Sequence, residues 1–171
     1  QVACLDFIVE RLRNWLLESG ERFDVVEAVV SAQGNNPARA SQAVRQLSAW
    51  IARPDWNRIL PAYARCVRII RSAGGAAAAA YQPLPDTEPA ELELFAALQT
   101  AEDTFRQLPG SRTPDDFLNA FLPMIPAVDR FFEAVLVMVE DEAVRLNRLA
   151  LMGRIAVLAE GVADLAKLEG F

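Results

Sequence analysis

Apolar residues recur every three or four positions along most of this chain, and no two-residue alternation lasts more than four residues. The pattern predicts helices rather than strands. The first is expected over 3–19, with Leu5, Ile8, Leu12, Trp15 and Leu16 on its stripe and Gly20 at its end. Asp24, with Glu27 three residues on, reads as a capping box that opens a short second helix, closed by Gly34-Asn35-Asn36. Asn36 caps a third helix with Pro37 at its first position. Its stripe is Ala40, Val44, Leu47 and Ile51, with Trp50 beside it. Pro54 opens a fourth helix, which Pro61 is expected to kink. At about 100° per residue, Ile59, Ala62, Tyr63, Cys66, Val67, Ile69 and Ile70 share one side of it, and Arg58, Arg65, Arg68 and Arg71 the other.

The second half begins with a break. Residues 73–86 hold Gly74-Gly75, alanine from Ala76 to Ala80, then Tyr81-Gln82-Pro83-Leu84-Pro85-Asp86, a composition that predicts a flexible linker. Thr87 can cap a helix over 88–108 carrying Leu92, Phe95, Leu98, Phe105 and Leu108, stopped by Pro109-Gly110. Thr113-Pro114 with Asp116 starts a short helix bearing Phe117, Leu118, Phe121 and Leu122, and Pro123 and Pro126 lead into the next. From Asp129 to Met152 the chain reads as two helical pieces about an apolar joint, Val137-Met138-Val139. Phe131, Phe132, Val135 and Leu136 form the stripe before it. The acidic trio Glu140-Asp141-Glu142 suits the positive end of the helix after it, which turns Leu146, Leu149, Ala150 and Gly153 inward. A last helix over 154–168 carries Ile155, Leu158, Val162 and Leu165. The expected fold is all-α, a bundle of about eight helices, as one domain over 1–171.

Composition narrows the chemistry. The chain is 53% hydrophobic, which argues for a globular core, yet has no apolar run long enough to span a membrane. It starts at Gln1 without a basic leader or an initiator Met, so it is expected to be an excised fragment of a longer protein with no signal peptide. Histidine is absent, which excludes His-based metal sites and Ser-His or Cys-His nucleophiles. Cys4 and Cys66 lie on apolar faces and read as buried thiols in a reducing compartment. Gly74-Gly75 lacks the following Lys and Ser/Thr of a nucleotide loop. Glu140, Asp141 and Glu142 diverge around a helix start, so a shared metal ion is not expected.

Charge distribution says more than its total. A net charge of −6 argues against indiscriminate nucleic-acid binding, but 39–71 holds seven arginines against the single Asp55, a local +6 on a body of −12. Arg58, Arg65, Arg68 and Arg71 are therefore the first candidates for phosphate contact, because fixed guanidinium groups can grip phosphates with paired hydrogen bonds. The bland alternative is a solvated face paired with acids elsewhere. Arg148 is a further candidate, beside Arg145 and Asn147. For these two the structural reading is favoured: Arg145 pairs with Asp141 four residues back, and Asn147 holds the backbone of the 137–139 joint. Trp15 reads as core, and Trp56 as the more exposed tryptophan, available for stacking.

The residues of the joint also resemble a known family. Phe131-Phe132-Glu133, Val135, Val137-Met138, Glu140-Asp141, then Arg145, Asn147-Arg148-Leu149-Ala150-Leu151, are similar to the C-terminal domain of the bacterial glycyl-tRNA synthetase beta subunit. That domain is of the DALR anticodon-binding type, also found at the C-terminus of arginyl-tRNA synthetase. The signature reads Asp141-Glu142-Ala143-Val144-Arg145, with Val144 where leucine is usual and one extra residue after the aspartate. The stretch from Ile8 to Val29 resembles the opening of the same domain. The stretch from Ala62 to Ile70 resembles another of its segments, with Ala64 replacing a lysine and Arg68 an asparagine.

The resemblance implies a cytoplasmic tRNA-recognition domain with no catalysis and no cofactor of its own. It would hold glycine tRNA for an alpha subunit, separate or fused, that binds ATP and activates glycine. Neither DNA nor membrane is an expected partner. An arginyl-tRNA synthetase C-terminal domain, or a helical protein-interaction module, are the alternatives.

Overall fold

A computed structural model describes residues 2–75, 80–110 and 112–171, with side chains from residue 5 onward. Among the described residues there are eight α-helices, two short 3-10 helices and no strand. The α-helices are α1 (Val2–Glu18), α2 (Phe23–Gln33), α3 (Pro37–Ile51), α4 (Trp56–Ser72), α5 (Pro89–Gln107), α6 (Pro114–Phe121), α7 (Ile125–Ala134) and α8 (Glu142–Val157). The all-α expectation and the count of about eight agree with this. The chain resolves into two compact units, one of residues 1–60, 111–117 and 159–171, the other of residues 61–110 and 118–158. No helix is long and apolar enough to cross a membrane among the described residues.

In the first unit α2 is central. Val25, Val26, Ala28, Val29 and Val30 are all buried, so this short helix is apolar on more than one side. α1 and α3 pack on it, and so does the tail at 165–167. The tail is tied by hydrogen bonds: Gln33 donates to the Val162 carbonyl at 2.7 Å, the Asp164 N–H to Ala28 at 2.8 Å, and the Glu169 N–H to the Asp24 carboxylate at 2.9 Å. That last bond explains why the capping box expected at Asp24 and Glu27 does not form. α2 starts two residues earlier, with Arg22 rather than Asp24 at its cap position, and Glu27 pairs with Arg13 at 2.5 Å. Asn36 does cap α3, accepting from the Arg39 N–H at 3.2 Å, with Pro37 at the first position.

Two aromatic expectations fail here, Trp15 as core and Trp56 as the more exposed tryptophan. Trp15 is 53% exposed rather than core, because among its described side chains α1 turns only Leu12 and Leu16 fully inward. Trp50 is buried, its indole N–H donating to Asp115 at 2.8 Å. Trp56 is half-buried. The helix expected over 154–168 is also absent: α8 runs through to Val157, and the chain then turns through Gly161 at φ +70°. Leu158, Val162 and Leu165 are buried all the same.

The second unit packs α5 against α7 and the 3-10 turn at 122–124. α4 runs unbroken through Pro61. Its Tyr63 donates to the Ala156 carbonyl at 3.0 Å and meets the Phe121 ring edge-on at 5.7 Å. Cys66 is free and buried, and burial pushes its thiol up to about 12. The side chain of Cys4 lies outside the described residues. α5 buries Glu91, Leu94, Leu98, Ala101 and Phe105, so its inward stripe is offset from the expected one and leaves Leu92 43% exposed.

Of the linker expected over 73–86, residues 76–79 lie outside the described residues. In its second half Gln82, Pro83, Leu84, Pro85 and Asp86 are exposed and one side chain turns inward. Tyr81 is 4% exposed and packs on Phe95 at 4.8 Å between ring centres.

Candidate nucleic-acid interface

The arginine face of α4 forms as its spacing predicts. Arg58, Arg68 and Arg71 are exposed and Arg65 is half-buried, while Ile59, Ala62, Tyr63, Cys66 and Ile70 are buried opposite. Arg65, Arg68 and Arg71 belong to the second unit, Arg58 to the first. Arg65 is anchored rather than free. Its guanidinium lies 3.2 Å from Asp129 and 4.5 Å from the centre of the Phe132 ring. Both side chains of that ion pair remain about two-fifths exposed, so the pair orients Arg65 without taking it out of solvent. Arg68 and Arg71 carry the more accessible charge.

Arg148 has to be moved from this surface to the interior. It is 8% exposed, with Nε 2.9 Å from Glu91, itself 2% exposed, and Nη1 donating to the Leu136 carbonyl at 2.9 Å. A guanidinium held this way ties α8 to α5 and to the end of α7. Two arginines of the same unit do similar work nearer the surface: Arg154 with Glu102 at 2.6 Å, and Arg130 with Glu93. The Arg130 bond holds the Glu93 carboxyl below its usual value.

The structural roles assigned to the joint survive with different partners. α7 ends at Ala134; Val135 is extended and the chain bends at Val137 and Met138, with Val135 and Val137 buried and Leu136 and Met138 exposed. Asp141 does not pair with Arg145. It caps α8, accepting from the N–H groups of Ala143 at 2.9 Å and Val144 at 3.1 Å. Arg145 instead donates to the carbonyls of Val139 at 2.8 Å and Glu140 at 3.2 Å, so it is Arg145 that fastens the joint. Asn147, expected to do that, clamps the 80–87 segment: it accepts from the Gln82 N–H at 3.0 Å and donates to the Gln82 carbonyl at 2.8 Å. No cluster of His, Cys, Asp and Glu fit for a metal occurs among the described residues.

Sequence reasoning missed Glu91. A carboxylate among apolar neighbours at 91, 94, 98, 101 and 105 was a legible sign, since that spacing is one helix face. Its partner lies 57 residues away, and no local pattern names it.

Comparison with known proteins follows the same lines. Residues 59–165 match the family described as the DALR anticodon binding domain, a match that covers the whole of the second unit. The chain is 39% identical over 168 residues to the glycine–tRNA ligase beta subunit of Anaeromyxobacter dehalogenans strain 2CP-C, covering 96% of this chain and 23% of that protein. It is 32% identical over 165 residues to the beta subunit of Edwardsiella ictaluri, covering 96% and 24%. It is 31% identical over 165 residues to the chloroplastic/mitochondrial glycine–tRNA ligase 2 of Arabidopsis thaliana, covering 96% and 15%. The chain therefore spans a quarter or less of the length of these relatives. With a family match over most of its length and a helical fold that carries the matched residues, the chain belongs to the DALR anticodon-binding domain family.

Proposed function

We propose that this chain is the tRNA-recognition segment of a glycine–tRNA ligase beta subunit. It docks the anticodon side of glycine tRNA and does no chemistry itself. Its contribution to aminoacylation is positioning: it holds the acceptor end where a catalytic alpha subunit, separate or fused, works on glycine and ATP in the cytoplasm. The observation that carries this reading is the similarity to glycine–tRNA ligase beta subunits over 96% of the chain. The exposed Arg68 and Arg71 and the oriented Arg65 supply cations of the kind a phosphate backbone needs.

Filter binding of glycine and arginine tRNAs at two salt concentrations tests it. Tighter binding of glycine tRNA, weakening steeply as salt rises, is expected. Equal and salt-insensitive binding of both would remove the reading.

A further inference from the structure

In the first unit α1 is longer than the helix it packs on. It has 17 residues to the 11 of α2, about 25 Å against about 16 Å. The end of α2 meets α1 at Val9: a Cβ added at Gly34 would lie 3.3 Å from Val9 Cγ1. The part of α1 before Val9 therefore runs past α2. Leu5 sits seven residues before the buried Leu12 on the same stripe, yet it is 49% exposed. Ile8 is exposed beside it, and Phe7, 65% exposed, points to the other side of the helix. Between Leu5 and Val9 only Asp6 is polar. A helical turn that is apolar on both sides is the mark of an enclosed one. Trp15, two turns beyond Ile8 on the same flank, extends the exposed face along α1.

We propose that this overhang and Trp15 form a docking face for the portion of the same polypeptide that lies outside these 171 residues. The proposal rests on the beta-subunit reading above and adds an internal interface to it. The relatives carry three-quarters or more of their length outside the matched region, so a chain of this kind has a body to dock on. Their similarity covers 96% of this chain and so reaches into α1, whereas the anticodon-binding match begins only at residue 59. α1 is thus shared with the whole ligase subunits and lies apart from the anticodon-binding match. Area separates a tethered segment from a separate protein. Leu5, Phe7, Ile8 and Trp15 expose roughly 400 Å² between them, about half of what each side of a stable complex of separate proteins buries. A second copy of this chain would face that shortfall. A segment of the same polypeptide does not, because its tether gives it an effective concentration of order millimolar and a small apolar face suffices. Arg11, exposed between Phe7 and Trp15, puts a cation on this face. The docked segment is therefore apolar, with a carboxylate or a carbonyl set against Arg11.

Hydroxyl-radical footprinting read by mass spectrometry tests it, on the 171-residue chain and on the intact subunit that contains it. In the intact subunit Phe7 and Trp15 are expected to label as weakly as the buried Phe117 and Phe121, and at least about fivefold less than in the 171-residue chain. Phe7→Asp/Trp15→Asp is expected to melt like the wild type as the 171-residue chain, where both side chains are exposed, and clearly below it as the intact subunit. Phe7 and Trp15 labelled in the intact subunit as readily as free aromatics, full protection already in the dilute 171-residue chain, or an equal loss of melting temperature in both forms would overturn the proposal. Protection of the 171-residue chain that grows with concentration and tracks a dimer in sedimentation gives the face to a second copy and overturns it too. Filter binding of glycine tRNA to the intact subunit runs alongside. Binding of tRNA without protection overturns the docking face alone. Protection without tRNA binding upholds the face and overturns the tRNA reading.

Discussion

Arg145 and Asp141 sit four residues apart and share no ion pair, which turns one expected interaction into two separable ones. Arg145→Ala leaves the Val139 and Glu140 carbonyls without their charged donor and should cost about 1–3 kcal/mol. Asp141→Ala removes the cap of α8 and should cost about 1 kcal/mol. Chemical denaturation of both single variants and the double variant should give nearly additive losses; a coupling well above about 0.5 kcal/mol would mean the two side chains pair after all. Glu91 is a harsher case. Glu91→Ala strands the Arg148 guanidinium in the interior, and a loss of about 3–5 kcal/mol is expected from the same measurement. Asp24 adds a pH signature. Burial opposes its charge, but the bonds from the Glu169 N–H and the Arg22 guanidinium outweigh burial and hold the carboxyl below its ordinary value. A depressed folded value means stabilisation that is present above the unfolded value, near about 4, and is lost as pH falls through the folded one. Asp24→Asn should therefore melt below the wild type at neutral pH, and the gap should close under acid. A gap that persists unchanged at pH 2 would assign the effect to packing.

At the scale of elements, α4 is the place where structural and functional faces divide along one helix. Arg68→Ala/Arg71→Ala removes exposed charge opposite the buried stripe, so melting should change little. If the two groups grip phosphates, tRNA affinity should fall and the salt slope flatten by about one unit per lost contact. An unchanged isotherm would leave α4 with a purely solvated face. The 80–87 segment offers a second test. Asn147 holds both backbone groups of Gln82, and Asn147→Ala should raise amide exchange at Gln82 without a comparable change in the interior of α8. Equal exchange in the two proteins would show that Tyr81 alone pins the segment.

For the whole molecule, the −6 total hides a sorting of charge. Many carboxylates are spent on arginines within the same unit: Glu27 on Arg13, Asp129 on Arg65, Glu91 on Arg148, Glu102 on Arg154. Against that background Arg58, Arg68 and Arg71 of α4 stay exposed to solvent. tRNA affinity should follow that residue-level distribution, with a steep salt dependence despite the acidic total.

The sequence by itself determined most of the helices, though not the one expected over 154–168, because a period of 3.6 residues and caps such as Asn36-Pro37 are local properties. It also determined that the α4 arginines lie opposite Tyr63 and Cys66, since angle around one helix needs no knowledge of its neighbours. The family followed from the residues of 131–151. What only the tertiary structure decided is which polar and aromatic side chains go inside. Arg148 looks like a surface cation until Glu91 is brought to it from 57 residues away. Trp50 is drawn in by Asp115, 65 residues on, while Trp15 on an equally apolar stripe stays out. Asn147 holds Gln82 across 65 residues rather than the joint beside it. Periodicity reports the class of a side chain and its angle on its own helix. Burial of a charge depends on a partner that offsets its desolvation, and that partner is chosen by the packing of elements far apart in the chain.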